Sequence, residues 1–419
     1  VMDDLRDDAA LKSLPDPGSD LDDNASETST ITYGHASFEI MKHKVAALAA
    51  KELQHDLAKI RVERMRGGTN NRVIGLSLVR SRKARSCSPL SVRMKLSKSP
   101  SEYIVRMPRG EVEDEVSAQV AILRAIAPRL HFRIPKAVAY NAGPENPLSV
   151  PYMIQERIPG RKACVMWLTF NVAQKVSFIR QFTKIVSEIV SIEAIPGEIS
   201  TRNLDTKPGD PIYVDMMERQ PMAPAEPAIE QTGAAFMIAQ IEKWRQFQRA
   251  AGFCFEEEWD SLARITKSFE KRGFLAFPTV LVHTDLREYN ILTQVRNKSE
   301  VDITGVIDWD DAIIAPAFLA YRAPFWLWMP EDTDYDEENL ENMEPTTDIG
   351  RQLKAEFLKH ASEDYKSHAF SPESMLVRRM FYYLQWGITN SYLLELARGI
   401  IKEWDQLHPE DGVAIQSEI

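Results

Sequence analysis

The chain has 419 residues, of which 44% are hydrophobic and 27% are charged, and its formal net charge at pH 7 is -10. This length suffices for two domains, and the composition is that of an ordinary soluble globular protein. The acidic balance speaks against nucleic acid as a partner. No apolar stretch is long enough to cross a bilayer, which speaks against a membrane partner.

The negative charge is concentrated in two segments, residues 1–30 and 331–348, which contain nine acids each. We predict that residues 1–34 form a disordered acidic tail, because they have too few large apolar residues to offset the entropy of ordering. The start of the chain lacks the basic and apolar regions of a signal peptide. Three scattered cysteines favour a reducing compartment. We therefore expect a cytoplasmic protein.

Residues 35–157 are predicted to form an N-terminal nucleotide-binding lobe. Apolar residues at helical spacing predict a helix over Phe38–Ile60. A glycine-led turn follows, where backbone N–H groups could approach phosphates without interference from a Cβ atom, although the same pattern is typical of any hairpin. The candidate phosphate-binding residues of this turn are Gly67, Gly68, Thr69 and Asn70. Residues 80–101 are basic and serine-rich, and we predict a long mobile loop.

The lobe continues with a strand, Tyr103–Pro108, and a helix over Glu111–Leu130. A last strand-like run then leads into Gln155, Glu156 and Arg157.

Residues 158–410 are predicted to form a larger C-terminal lobe that carries the catalytic and substrate sites. Residues 196–228 are rich in proline, glycine and acids and predict a surface excursion. Predicted helices cover Asn171–Ile195, Phe236–Ala250, Glu256–Lys271 and, approximately, residues 348–366 and 372–405.

Two polar runs in this lobe each follow a short apolar stretch, Val280–Val282 and Ile303–Ile307. The apolar stretches predict buried strands that deliver polar residues at their ends. In kinase-type phosphoryl transfer, one carboxylate deprotonates the attacking hydroxyl, while an Asn and an Asp hold Mg²⁺. Asp285 fits the base, and Asn290 and Asp308 fit the metal ligands. The alternative is that these are ordinary loop residues beside a core histidine.

The motif His283-x-Asp285-x-x-x-x-Asn290 and the pair Asp308-Trp309 resemble the aminoglycoside phosphotransferase and choline kinase-like family. The resemblance implies an α+β fold of the bilobal protein kinase type, with ATP between a small lobe of mixed helix and sheet and a larger, mainly helical lobe. A protein kinase would carry Asp-Phe-Gly and Ala-Pro-Glu elements, and neither is found after Asp308.

The resemblance also assigns roles in the small lobe. Arg106 stands where kinases carry a lysine that contacts the α and β phosphates and pairs with a glutamate of the next helix. Glu115 is our candidate for that partner, with Glu111 in reserve. The alternative for Arg106 is a solvent-exposed arginine on the strand. The alternative for Glu115 and Glu111 is a place on a solvated helix face. The backbone of Gln155, Glu156 and Arg157 would read the adenine edge.

In the large lobe, Arg287 follows the base by two residues and would touch the transferring phosphoryl group; an exposed arginine is the alternative. Many members of the family carry histidine at that position.

These assignments predict an ATP- and Mg²⁺-dependent phosphotransferase that acts on a hydroxyl of a small molecule. The alternative is a non-catalytic nucleotide-binding pseudokinase or scaffold, which the replacement of lysine by Arg106 favours. The sequence does not identify the phosphate acceptor. Five aromatic residues could bind an amine-bearing alcohol by cation–π contact, although we expect at least three of them in the core. These residues are Trp326, Trp328, Tyr382, Tyr383 and Trp386.

Overall fold

The structure, a computed structural model, describes residues 36–65, 70–79, 102–109, 115–217, 226–329 and 344–415. The predicted acidic tail, Gly67–Thr69, Glu111 and the predicted loop of residues 80–101 lie outside these ranges. The described residues form two compact units. The first contains the residues up to Ala127 together with Ile134–Arg161, and the second contains Pro128–Arg133 and the residues from Lys162 onward.

The first unit is built on one antiparallel sheet with the strand order β1-β2-β3-β5-β4. The strands are β1 Ile60–Arg64, β2 Asn71–Leu78, β3 Glu102–Pro108, β4 Ala137–Asn141 and β5 Tyr152–Glu156. Its helices are α1 Phe38–Glu52 and α2 Glu115–Ile126. Val45 and Leu48 of α1 are buried in one apolar cluster with Leu76 and Val105 of the sheet.

The helix predicted over Phe38–Ile60 ends eight residues early, at Glu52. Gln54 adopts a left-handed conformation with φ of 49°, which interrupts the helix. The Asp56 side chain then accepts a hydrogen bond from the N–H of Ala58 at 3.1 Å and caps a short 3₁₀ turn. Ile60, which fits the helical spacing, instead begins β1.

The second unit is mainly helical, and two of its helices agree closely with the prediction: α5 ends at Ala250, and α6 spans Glu256–Lys271. Asn171 and Gln174 form a reciprocal capping box at the start of α4, which packs against the strands Thr279–Val282 and Val301–Val306. The helices are α3 Ala163–Met166, α4 Val172–Val190, α5 Gly233–Ala250, α6 Glu256–Lys271, α7 Asp348–His360, α8 Glu363–Ala369, α9 Pro372–Trp386 and α10 Ser391–Leu407.

The strands of this part of the chain form a sheet with the order β8-β7-β12-β9 and an antiparallel hairpin of β10 and β11. Two of them, β7 and β8, lie in the segment predicted as a surface excursion, so part of that segment belongs to the sheet. The strands are β6 Arg161–Lys162, β7 Gly197–Ile199, β8 Val214–Asp215, β9 Thr279–Val282, β10 Ile291–Val295, β11 Val301–Val306 and β12 Ile313–Pro316.

The single helix predicted over residues 372–405 is two helices, because Gly387 ends α9 with φ of +75°. A Cβ atom at this position would lie 2.6 Å from the indole of Trp244, so glycine is required for the close approach as well as for the turn. Asn390 then caps α10 by accepting a hydrogen bond from the N–H of Leu393 at 2.9 Å. Among the described helices, none is long and apolar enough to span a membrane.

Candidate active site

The loop from His283 to Asn290 is held between two strands of the second unit. β9 ends at Val282 and β10 begins at Ile291, which confirms the predicted placement of polar residues at strand ends. Within the loop, the N–H of Arg287 donates to the carbonyl of Asp285 at 2.9 Å, and the N–H of Asn290 donates to that of Arg287 at 2.9 Å. These two bonds make the tight turn that brings Asp285 and Asn290 together.

His283 is buried and joins this loop to the end of β11. Its Nε2 donates to the carbonyl of Ile307 at 3.0 Å, and its Nδ1 accepts from the N–H of Asp285 at 3.3 Å. Burial lowers the pKa of His283, which agrees with the neutral tautomer that this bonding requires. Both ring nitrogens of the buried His283 are therefore hydrogen-bonded, as in the alternative of a core histidine. The residue also connects the loop from His283 to Asn290 with the segment that contains Asp308.

The carboxylate of Asp285 is oriented through both oxygens. Oδ2 accepts from the amide of Asn290 at 2.9 Å, and Oδ1 accepts from the hydroxyl of Tyr289 at 3.0 Å. The Nε atom of Arg287 lies 3.4 Å from Oδ1. Hydrogen bonds to both oxygens hold the carboxylate in one orientation, which is what a general base would require.

Tyr289 was missed by the sequence analysis. Burial, followed by the charge of Asp285, raises the pKa of Tyr289 to about 12, so the phenol stays protonated and donates to the carboxylate. The available signal was its position four residues after Asp285, inside the tight turn.

Asn290 and Asp308 are the predicted metal ligands, and each carries a side-chain oxygen that could bind a cation. Both amide hydrogens of the buried Asn290 are donated to Asp285, one to its carbonyl and one to its carboxylate, each at 2.9 Å. The amide oxygen is thus the atom that Asn290 can offer to a cation. The carbonyl of Asn290 accepts from the N–H of Ile307 at 2.9 Å, directly before Asp308. Carboxylate and amide oxygens are ligands that Mg²⁺ prefers.

Asp308 has φ of +68°, a left-handed conformation that is uncommon outside glycine. The next residue, Trp309, is 1% exposed and donates from Nε1 to the carbonyl of Val306 at 3.1 Å. Its ring centroid is 4.5 Å from that of His283. The buried indole anchors the chain on both sides of Asp308, which sustains the unusual turn and leaves the carboxylate on an exposed residue.

A cavity of about 300 Å³ in the second unit is lined by Asp285. Trp326 and Tyr382, two of the five aromatic residues considered above, also line it. Trp328 and Tyr383 are buried in the core, whereas Trp386 is exposed. Two of the five are therefore core residues, fewer than the three expected, while Trp326 packs against the core from the cavity.

In the first unit, Arg106 lies on the central strand β3 and is 8% exposed. The alternative of a solvent-exposed arginine is therefore wrong. A buried guanidinium must be satisfied by charge or hydrogen bonds, which agrees with a functional position. Glu115 begins α2, and its carboxylate accepts from the side-chain amide of Gln119 at 3.0 Å. The pairing of Arg106 with Glu115 stays a prediction.

The predicted adenine-reading segment is at the end of β5. The N–H of Glu156 donates to the carbonyl of Lys136 at 3.0 Å, and the N–H of Arg157 donates to that of Glu102 at 3.1 Å. These two N–H groups already donate within the first unit. An adenine contact by this segment would therefore use backbone groups other than the N–H groups of Glu156 and Arg157. Gln155 is buried, and its Oε1 has no hydrogen-bond partner among the described residues.

The guanidinium of Arg157 lies 2.6 Å from the Glu63 carboxylate. Asn70, the described residue of the glycine-led turn, is exposed and accepts at its carbonyl from the N–H of Arg109 at 2.8 Å.

Comparison with solved structures finds aminoglycoside phosphotransferases. The streptomycin–ATP ternary complex of APH(2")-IIa is 13% identical and has a TM-score of 0.48, with 88% of this chain and 97% of the other covered. ADP-bound APH(2'')-Ib is 12% identical with a TM-score of 0.48, at coverages of 88% and 98%. The GDP and kanamycin complex of APH(2")-IIIa is 16% identical with a TM-score of 0.44, also at 88% and 98%.

No curated protein matches the sequence. A profile of the phosphotransferase enzyme family matches residues 86–319, which is more than half of the chain and includes the whole of the loop from His283 to Asn290 and Asp308. The predicted resemblance to a phosphotransferase family is thereby confirmed, and the helices and antiparallel sheets described above agree with the predicted α+β class. The chain belongs to the phosphotransferase enzyme family.

Proposed function

We propose that the protein is a small-molecule kinase that transfers the γ-phosphoryl group of ATP to a hydroxyl group, with Mg²⁺ as cofactor. The observation that supports this most strongly is the orientation of Asp285. Its carboxylate accepts hydrogen bonds from Asn290 and Tyr289, and it also lines a cavity large enough for a small acceptor. A structural aspartate would not need both the fixed orientation and access to a cavity.

In the proposed reaction, Asp285 accepts the proton of the acceptor's hydroxyl group while the hydroxyl oxygen forms a bond to the γ-phosphorus of ATP. The bond between the γ-phosphorus and the β,γ-bridging oxygen breaks, and ADP is released. The amide oxygen of Asn290 and the carboxylate of Asp308 would hold Mg²⁺, which neutralises charge on the phosphates. Arg287, beside the base, would stabilise the transferring phosphoryl group. Tyr289 keeps the carboxylate of Asp285 in position through its hydroxyl.

The first unit would supply the nucleotide contacts. We propose that Arg106 contacts the α and β phosphates and that Glu115 orients it. Asn70 and the preceding residues Gly67–Thr69 would approach the phosphates through their backbone, and the segment from Gln155 to Arg157 would lie along the adenine.

A nucleotide-binding scaffold without catalysis is the second candidate. The replacement of the usual lysine by Arg106 favours it, because the planar guanidinium needs more room than an ammonium group and makes contacts at different angles. The oriented Asp285, together with Asn290 and Asp308, favours the enzyme, since a scaffold has no need for a base.

The test is phosphoryl transfer by the full chain with Mg²⁺ and either ATP or GTP, across a panel of hydroxylated acids, amines and sugars. Asp285→Asn should reduce the turnover rate by about 100- to 10,000-fold, the usual contribution of a general base. The same variant should retain nucleotide affinity. Asp302→Asn is the matched control, because Asp302 pairs with the exposed Arg296 on the β10–β11 hairpin. Equal rates for both variants would refute the assignment, and nucleotide binding without turnover on any acceptor would favour the scaffold.

A further inference from the structure

A cleft of about 510 Å³ lies within the first unit, beside the segment that follows β5. Residues 157–160 of that segment line it, together with residues from the end of β1 and the start of β3. The charged residues of the lining are the acids Glu63 and Glu102 and the arginines Arg64 and Arg157. These give the lining no net formal charge, which suits a neutral group of a ligand better than a phosphate.

The two acids of the cleft belong to the same face of the sheet as Arg106. The antiparallel register pairs Glu63 with Gly75 and Gly75 with Ile104, and paired residues share a face. Glu102, Ile104 and Arg106 alternate along β3, so they share that face as well. About 14 Å of strand separates Glu102 from Arg106, at about 3.4 Å per residue. A nucleotide that lies along β3 with its phosphates at Arg106 would therefore have its base near the cleft.

Glu63 holds the guanidinium of Arg157 at this face. Its carboxylate accepts a hydrogen bond from Nη1 of Arg157 at 2.6 Å. The side chain of Glu63 lies over β2, because a Cβ atom at Gly75 would be only 2.5 Å from its Cγ atom. Glycine at position 75 therefore leaves the space that the Glu63 side chain occupies. The side chain of Arg157 is 23% exposed.

We infer that the side chain of Arg157 stacks on the purine base of the nucleotide, and that Glu63 is its positioning residue. This inference rests on the proposed function. The N–H groups of Glu156 and Arg157 already donate within the first unit, so these two groups are not the base contact of the segment. A guanidinium donates its hydrogen bonds in its own plane and stacks through its faces on aromatic rings. The ion pair with Glu63 is thus compatible with stacking on a base.

Calorimetric titration of the full chain with MgATP and with adenosine tests the inference, because adenosine has the base and lacks the phosphates. Adenosine is titrated directly or in competition with MgATP. Arg157→Ala should weaken the binding of both ligands by the same factor, about five- to thirtyfold, the value of a cation–π contact. Arg106→Ala, the matched comparison, should weaken MgATP binding and leave adenosine binding unchanged.

Arg296→Gln is the control, because Arg296 is exposed and pairs with Asp302 on the β10–β11 hairpin of the second unit. It should bind both ligands as the parent does. If Arg157→Ala weakened the binding of MgATP but not that of adenosine, its side chain would act on the phosphates. If it bound both ligands as the parent does, its side chain would contact neither. Either result would overturn the inference.

Arg157→Lys distinguishes stacking from an ion pair that only ties β1 to the end of β5. Lysine can keep the ion pair with Glu63, but its compact ammonium group lacks the planar surface of a guanidinium. We expect Arg157→Lys to recover only part of the affinity that Arg157→Ala loses for MgATP. Full recovery by lysine would show that the ion pair alone matters and would overturn the inference.

Glu63→Gln tests the positioning role. It should weaken adenosine binding less than Arg157→Ala does, and it should have no further effect when Arg157 is already alanine. Equal effects of Glu63→Gln in the two backgrounds would show that it acts independently of Arg157.

The proposed function and the inference fail in different ways. If the parent chain binds neither MgATP nor adenosine, the proposed function is refuted and the inference with it. If the parent chain binds MgATP and Arg157→Ala binds it equally well, the inference alone is refuted.

Discussion

The stability of the second unit should fall in weak acid because of His368. This residue is fully buried among Phe274, Phe277 and Tyr321, its Nδ1 lies 3.2 Å from the hydroxyl of Ser374, and its Nε2 has no hydrogen-bond partner among the described residues. Burial, and then the charge of Arg378, lower the pKa of His368 from 6.5 to about 4. As the pH falls, the imidazole of His368 is therefore protonated at a higher pH in the unfolded chain than in the folded chain.

The sign and size follow from this difference in pKa. Between pH 6.5 and about 4 the unfolded chain binds a proton that the folded chain does not, so the free energy of unfolding decreases as the pH falls. At about 1.4 kcal/mol per pH unit, the loss is roughly 3 kcal/mol over the full window and about 2 kcal/mol by pH 5. His283, whose pKa is also lowered by burial, contributes in the same direction.

Urea unfolding at about pH 7.5 and about pH 5, followed by tryptophan fluorescence, measures this effect. All eight tryptophans of the chain lie in the second unit, so the signal reports its unfolding alone. His368→Phe should lose about 2 kcal/mol less than the parent between the two pH values. His131→Gln, which changes an imidazole that is 93% exposed, is the control and should behave as the parent does. Equal losses in His368→Phe and the parent would refute the reasoning.

Three further predictions concern the site. Asp308→Asn should abolish the Mg²⁺-dependent part of ATP binding, measured by calorimetry with and without Mg²⁺, and an unchanged dependence would exclude Asp308 as a ligand. Arg106→Ala should weaken MgATP binding by about 1.5 to 3 kcal/mol, and Arg106→Lys should retain part of this binding free energy. Parental MgATP affinity in the alanine variant would contradict the proposed contact between Arg106 and the phosphates. Tyr289→Phe should lower kcat about tenfold at unchanged KM for ATP, because Asp285 loses one orienting hydrogen bond, and a parental kcat would show that the phenol is dispensable.

The parts of the site that lie close together in sequence were predictable. Asp285 and Asn290 are five residues apart between two apolar runs, so a tight turn between strands was the simplest arrangement. The bounds of α6 and the end of α5 were similarly marked by local breaks in the apolar spacing. The early end of α1 was not predictable, because a left-handed glutamine at position 54 has no compositional signal.

Features that depend on contacts between distant segments were also missed. Gly387 interrupts a continuous helical pattern because Trp244, far away in sequence, occupies the space beside it. The cavity that Asp285 lines is also lined by four arginines, and their spacing in the sequence does not indicate that they lie near one another: Arg287, Arg322, Arg378 and Arg379. The turn that brings Asp285 and Asn290 together could thus be predicted from the sequence, whereas the lining of the cavity depends on the tertiary structure.

The left-handed backbone of Asp308 restricts how this chain can change over evolution. Glycine and asparagine tolerate that conformation at least as well as aspartate, and both are one nucleotide away from an aspartate codon. Each would remove the negative charge without disturbing the turn around the buried Trp309. A lineage could therefore lose the proposed metal ligand in a single step and keep the turn. The same geometry that serves a phosphotransferase leaves the way open to a catalytically silent descendant.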